Sequence, residues 1–277
     1  YSHYLLPMAA AIWSSDLNDV NQMPALFFIR FFKNHGLLSV SDRPQWYTLP
    51  GGSRSYIAPL TVGFRERIRF NTSVVSVRNT SQGVEVVANE HKELFDAVVL
   101  ASHSDQSLAL LDDTETALKS ILQGIPYADN EVVLHTDRSQ MPKSRRAWAS
   151  WNYMGYDAAQ NELCLTYWMN RLQSIDAAYP LFETLNPVLA PRDDLIHGSY
   201  HYRHPIFDAA AIAAQPELAS IQGRDHLFFA GAWTGYGFHE DGLKSAIAIA
   251  KTLGVEVPWN SAVTGYDVRP PQLQKAG

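Results

Sequence analysis

The stretch GAWTGYGFHEDGLKSAIAIAKTLG, Gly231 to Gly254, gathers residues able to hold an anion or a flat ring. An apolar run, HLFFAGAW, leads into Gly231, Gly235, Gly237 and Gly242. The acidic pair Glu240 and Asp241 and an amphipathic segment complete the stretch. A strand passing through glycines into a helix start offers unpaired N–H groups and the positive end of the helix dipole. Glycine also lets a planar or phosphorylated ligand approach the backbone. The same pattern serves an ordinary strand–turn–helix connection with Asp241 as its cap. A complete dinucleotide site begins with G-x-G-x-x-G between a strand and a helix. The sequence has no such motif: GYGFHE carries two glycines and ends in Glu240.

Other clusters are weaker. HGSYHYRH holds His197, His201 and His204. On a strand His197 and His201 share a face and His204 lies opposite, without a second ligand cluster, so no metal site is expected. ASHSD offers Ser102, His103 and Asp105, but close neighbours rarely form a triad, and the G-x-S-x-G turn is absent. LFFIRFF is apolar enough for peripheral membrane contact, yet its setting favours a buried helix. The single Cys164 reads as a small buried residue on a strand.

The elements that must position these residues follow from the pattern. The 277 residues are 46% hydrophobic and 18% charged, with a formal net charge of −6 and no like-charge block. That balance builds a core and argues against a nucleic-acid partner. One cysteine and no secretory signal fit a reducing, cytoplasmic setting, and no apolar run reaches the ~20 residues of a membrane span. The first 40 residues read as helices, with Pro24 in a first turn and Gly36 as a stop. Pro50-Gly51-Gly52 marks a turn before a short helix. SVVSVRN and GVEVVAN alternate as paired strands, and LFDAVVLAS reads as one buried strand. DQSLALL and DTETALKSIL read as capped helices. NEVVLHTD, RAWASWNYM, ELCLTYWMN and LIHGSYHYRHPIF read as aromatic-rich strands, interrupted by a helix over IDAAYPLFETL. HLFFAGAW returns as a strand, and DGLKSAIAIAKTLG as a helix ending at Gly254.

Together YLLPMAAAIWSS, FFKNHGLL, PQWYTLPGGSRSYI, YRHPIFD and GYGFHEDGLKSA resemble the flavin-containing amine oxidase-like FAD-dependent oxidoreductases. The likeness is greatest to a bacterial branch of NAD/FAD-binding proteins. It implies an α/β fold with α+β character: an incomplete FAD/NAD(P)-binding domain plus a mixed-sheet substrate domain with helices. The implied division is residues 1–45 as a helical part of the substrate domain and 46–124 as part of the FAD domain. Residues 125–220 are then the substrate domain, 221–257 the closing FAD-domain strand and helix, and 258–277 an extended tail. The family's glycine motif would precede Tyr1, so the chain is expected to be a C-terminal fragment that binds FAD weakly or not at all by itself.

The resemblance also assigns roles. The main chain near Val74 would touch the adenine edge, and Gly231 and Ala232 the pyrophosphate and ribityl chain. The helix start at Glu240, Asp241, Gly242 and Leu243 would face the flavin pyrimidine. Ser53, Arg54 and Ser55 would lie at the flavin–substrate boundary. Trp13, Tyr200, Tyr202, Tyr236 and Phe238 would line the substrate wall, with His204 and His239 as candidate titrating groups. The family's flavin-proximal lysine lacks a counterpart, because Lys143 and Lys244 stand in other contexts. The implied reaction is hydride transfer from a substrate C–H to flavin N5. An apolar amine or an acyl or lipid-like molecule would be the substrate, the latter because members of this branch are often encoded beside cyclopropane-fatty-acid-synthase-like enzymes. An FAD-dependent desaturase or isomerase and a non-catalytic interaction module are the rival readings. Surface left by the absent segment would favour self-association.

Overall fold

The computed structural model describes residues 1–39, 41–42, 44–112, 116–155, 163–257 and 274–275. The fold is α/β with α+β character. The chain divides into two compact units. One comprises Tyr1–Arg65, Tyr127–His204 and Asp267–Gly277, and the other Glu66–Pro126 and Pro205–Tyr266. Residues 46–65 thus join the first unit and 205–220 the second, which differs from the division read in the sequence. The reasons are local. Gly52 lies beside the Gln173 side chain. The helix Ala209–Glu217 packs on Thr116–Gln123, where a Cβ at Gly124 would stand 2.9 Å from Ala214 Cβ.

The first unit begins with helices Leu5–Trp13, Leu17–Gln22 and Ala25–Asn34. Asp16 starts the second by accepting the Asp19 N–H at 2.8 Å. Phe27, Phe31 and Phe32 are buried, while Leu26 and Ile29 face outward. Trp13 is buried against Phe31, with ring centroids 4.7 Å apart, so it belongs to this core and not to a substrate wall. Gly36, at φ 66, ends the helical run. Of the tail, only Gln274–Lys275 is described, paired antiparallel with Tyr47–Thr48.

The five-stranded sheet of this unit has the order Ile196–Pro205, Tyr127–His135, Phe182–Leu185, Leu165–Trp168 and Trp151–Tyr153. IDAAYPLFETL is therefore not a helix: its second half is the central strand. Pro180 interrupts the helical pattern. Asn170 then fixes the turn before the strand. Its amide donates to the carbonyls of Ile175, Asp176 and Tyr179, and its Oδ1 accepts the Leu181 N–H at 2.7 Å. The helix lies earlier, at Met169–Gln173. RAWASWNYM contributes only Trp151–Tyr153, after a 3₁₀ turn at Arg145–Ala147.

The second unit holds the three-stranded meander Val74–Thr80, Gly83–Ala88 and His91–Phe95. Gly83, at φ 134, is needed there, since a Cβ would stand 2.6 Å from the Phe95 carbonyl oxygen. LFDAVVLAS is not continuous: Phe95 ends the meander, and Val98–Leu100 starts a separate strand. That strand pairs in parallel with Leu227–Phe229. Helices Ser104–Leu110 and His239–Thr252 follow these two strands, and Ile249 of the latter packs with Phe228 and Ala230. His103 precedes the first helix, and Asp105 stands inside its first turn.

One buried polar row in the sheet of the first unit has a measurable consequence. His135 is fully buried, accepts the Asp137 N–H on Nδ1 at 3.1 Å, and so carries its proton on Nε2. Nε2 meets Thr184 Oγ1 at 2.7 Å, which shares a hydrogen bond with Thr166 Oγ1. Burial pushes the imidazole pKa from 6.5 to about 4, against the pull of the Asp137 carboxylate, with His197 adding to the fall. Between these two values the unfolded chain binds the extra proton, so stability rises with pH across that window. Above about 6.5 the contribution is complete; below about 4 both states are protonated and it is gone. Denaturant unfolding from pH 4 to 7 should show this rise, and His135→Gln should flatten that component of the profile.

Candidate functional site

The site grows from the parallel pair. Leu227–Phe229 aligns with Val98–Leu100 residue for residue, so the carboxyl ends of both strands stand side by side. The Ala230 N–H continues the ladder to the Leu100 carbonyl at 3.0 Å. In open α/β sheets ligands bind beyond such carboxyl ends, where the following turns diverge. One turn is Ala101-Ser102-His103, and the other begins at Gly231. The Trp233 indole ties them together by donating to the Ser102 carbonyl at 3.1 Å.

The glycine turn is tightly fixed. Gly231 adopts φ 153, and a Cβ there would stand 2.6 Å from Trp233 Nε1. Its N–H donates to Ser245 Oγ at 3.0 Å, and that hydroxyl donates to the Gly242 carbonyl at 2.7 Å. The strand end is thereby tethered to the second turn of the C-terminal helix. Gln215 donates to the carbonyls of Trp233 and Gly235, holding the turn from the other side. Gly237, at φ 94, passes against the Phe207 ring.

The helix start is open. Phe238, His239 and Glu240 are exposed, and Asp241 and Gly242 are half-buried. Leu243 is 46% exposed. The N–H groups of Asp241 and Gly242 turn back to the Phe238 carbonyl, at 3.0 and 3.2 Å. The donors standing at the helix end are accordingly those of His239 and Glu240, of which Glu240 is among the residues the resemblance placed there. The Asp241 carboxylate accepts the Phe238 N–H at 3.1 Å, so its charge serves as the cap. Glu240 lies 3.5 Å from Lys244, one turn on.

Gly231, Ala232, Tyr236, Phe238, His239, Glu240, Asp241, Gly242 and Leu243 therefore gather on one turn of the second unit. Val74 belongs to the same unit, 38% exposed at a register shift in the first meander strand. Ser53, Arg54 and Ser55 belong to the first unit, on an exposed 3₁₀ turn where Ser55 Oγ donates to the Gly52 carbonyl. Tyr200 and Tyr202 stack 6.2 Å apart on the outer strand of the five-stranded sheet, both about half exposed. His204, on their face, pairs through Nδ1 with Asn130 Nδ2 at 3.1 Å, and Asn130 Oδ1 accepts from Asn186. Among the described residues no group of three metal-ligating side chains exists. Ser102 Oγ is bonded to Ser107 Oγ rather than to a histidine. The structural partners that sequence reading missed are Ser102, Gln215, Trp233 and Ser245. Only long-range strand pairing brings Ser102 here.

No protein-family model and no curated protein matches this sequence. Solved structures do match in fold. The chain is similar to a CLA-producing fatty acid isomerase from P. acnes, at TM-score 0.64 and 12% identity over 91% of this chain and 62% of that one. It is also similar to cyclohexylamine oxidase from Brevibacterium oxydans IH-35A, at TM-score 0.57 and 12% identity over 90% and 64%. Reduced UDP-galactopyranose mutase matches at TM-score 0.54 and 14% identity, again over 90% and 64%. The chain thus has the fold of the amine oxidase-like flavoproteins and spans less than two thirds of the length of these structures.

The cap supplies a direct test. A Cβ at Gly235 would stand 2.4 Å from Asp241 Oδ1. Gly235→Ala should displace that carboxylate and lower stability by about 1–2 kcal/mol. In an Asp241→Ala background the same substitution should cost less, because the carboxylate contacts are gone and only the 2.8 Å approach to the residue 241 Cβ remains. Gly63→Ala, with open space around the new methyl, should change little. Thermal melts of the four variants check the coupling.

Proposed function

We propose that this chain forms the substrate-binding part and the closing cofactor wall of an FAD-dependent oxidoreductase. The observation that carries the proposal is the paired carboxyl ends of Val98–Leu100 and Leu227–Phe229, with an open helix start beside a φ 153 glycine. The residues present fit one wall of a dinucleotide site. Gly231 has no side chain at the strand end, and the first helical turn is exposed at His239 and Glu240. A G-x-G-x-x-G turn and a ribose-binding carboxylate would come from a segment outside this sequence.

FAD, when bound, supplies the hydride acceptor at N5 for a substrate C–H. The chain's own residues tune and orient. Amides at the end of helix His239–Thr252 favour negative charge in front of them, worth about 0.3–1 kcal/mol when exposed and up to ~2 when partly buried. That adjusts a ring's electronics without being enough to bind it. Tyr200, Tyr202, Tyr236 and Phe238 offer flat apolar surface, and His204 and His239 are the candidate proton carriers. The fold likeness to a fatty acid isomerase favours a second reading, FAD chemistry that moves a double bond in an acyl chain without net oxidation. The same proposal places the intact protein in the cytoplasm, with a small-molecule or lipid-like substrate.

Absorbance in flavin's visible bands decides the matter. A version extended at the N-terminus with the glycine-rich segment should retain FAD, and Gly231→Val should reduce that retention. This chain alone should hold little. Absence of flavin from the extended protein would overturn the proposal and favour an interaction module. A parallel sheet is stable when covered on both faces, yet Val99 is 45% exposed. Sedimentation of this chain alone should therefore show self-association that the extended version lacks.

A further inference from the structure

Charge is unevenly spread along the chain. The loop from Arg138 to Ser150 holds four cations, Arg138, Lys143, Arg145 and Arg146, and no acidic residue. Against a formal net charge of −6 for the whole chain, these four positive charges leave −10 for the rest. The loop joins Tyr127–His135 to Trp151–Tyr153 in the first unit. All four cations are exposed, and among the described residues none of them pairs with a carboxylate. Asp137, just before the loop, does not neutralise them. It is 4% exposed, and its two oxygens accept the N–H groups of Ser139 at 2.8 Å and Arg192 at 3.0 Å.

The loop is pinned. Trp148 Nε1 donates to the Pro142 carbonyl at 2.8 Å, which closes the chain around Lys143 and Ser144. Two successive 3₁₀ bonds follow, from the Ala147 N–H to the Ser144 carbonyl and from the Trp148 N–H to the Arg145 carbonyl. Residues three apart eclipse in such a turn, and this sets Arg145 over Trp148. Its guanidinium carbon lies 4.3 Å from the centre of the Trp148 ring and 5.3 Å from that of Trp168. Trp148 in turn packs edge to face on Trp168 and Phe182, with centroids 5.3 and 5.6 Å away. Asn152 Oδ1 accepts the Ala149 N–H at 2.9 Å and anchors the far end. Arg145 is thus positioned by rings and not by a carboxylate, so its N–H groups stay available to an anion. Four like charges on one pinned loop repel one another, which folding alone does not call for.

We propose that this loop is an anion site that takes the phosphate group of a small, soluble phosphate monoester, with Arg145 as its fixed donor and Lys143 and Arg146 beside it in the chain. A guanidinium offers paired N–H donors to two oxygens at once, and a phosphate monoester near neutral pH carries about −1.5 to −2. A single carboxylate brings one charge and two oxygens, too little for three cations. A bilayer surface fits less well. Segments that lie in a membrane interface insert large apolar side chains beside their cations. Here Met141 is buried and Trp148 half-buried, and no large apolar residue of the loop is exposed. The site belongs to the first unit and the candidate cofactor wall to the second, so the inference stands apart from the flavin reading.

Calorimetry on this chain, slightly above neutral pH and at low ionic strength, tests it with glycerol 3-phosphate, glycerol and acetate. Glycerol 3-phosphate should bind about tenfold or more tightly than either of the others. Raising salt from ~20 to ~200 mM should weaken that binding severalfold, because the cations are exposed. Lys143→Glu combined with Arg146→Glu should cut it by about tenfold or more. Lys119→Glu combined with Lys251→Glu makes the same change in net charge at exposed positions of the second unit, and should leave it within about twofold. Arg145→Lys keeps the charge but not the planar fork and should weaken it by about threefold. Equal losses in the two double variants would reduce the effect to net charge and overturn the proposal. So would acetate binding as tightly as the phosphate ester. Binding to vesicles of phosphatidylcholine and phosphatidic acid, without binding of glycerol 3-phosphate, would overturn it in favour of a lipid surface.

Discussion

Parallel pairing of Val98–Leu100 with Leu227–Phe229 is the constraint on which the candidate cofactor wall depends. Parallel strands cannot be joined by a tight turn, and here more than a hundred residues separate the partners. Their pairing sets two strand ends level and brings the Ser102 turn to the glycine turn. Without it, Gly231 to Gly242 would be an ordinary connection with a capped helix. With it, two backbone turns diverge from one line, which is the geometry that lets a ligand approach main-chain atoms. The tether from Gly231 N–H through Ser245 to the Gly242 carbonyl then fixes the distance from strand end to helix.

Acidic residues at a helix start complicate anion binding, and the structure shows how the conflict is managed. Asp241 would oppose a negatively charged ligand if it pointed outward. Instead its carboxylate turns into the Gly235 backbone and accepts the Phe238 N–H. The close approach is available only because residue 235 lacks a side chain. Glu240 remains exposed beside Lys244, where solvent screens it. The spacing of glycine and aspartate in GYGFHED thus serves local charge placement as much as ligand access.

Much of this was legible in the sequence because it is local. HLFFAGAW followed by DGLKSAIAIAKTLG states strand, turn and helix through apolar run, glycines and 3.6-residue periodicity. The hairpin at Asn79 to Gly83 was equally plain. The failures are non-local. LFETL reads as helix when joined to IDAAYP, and only the Asn170 side chain, eleven residues before Leu181, closes the loop that releases it as a strand. Trp13 carries no mark that separates a core indole from a ligand-facing one; the difference is the Phe31 ring on the neighbouring helix. Ser102 looked like part of a spurious triad, whereas its carbonyl is what joins the two turns.

His135 and Glu183 show how a buried titratable group can be read. They stand on adjacent strands of one sheet and face opposite ways. His135 is neutral, and both ring nitrogens are engaged within the protein, so burial is compensated and its place is structural. Glu183 is partly buried too, but its neighbours on the sheet are aliphatic and aromatic. The Tyr167 phenol beside it also loses acidity. Folding alone would be served as well by an apolar residue there, since the adjoining row is Val132, Leu185 and Leu165.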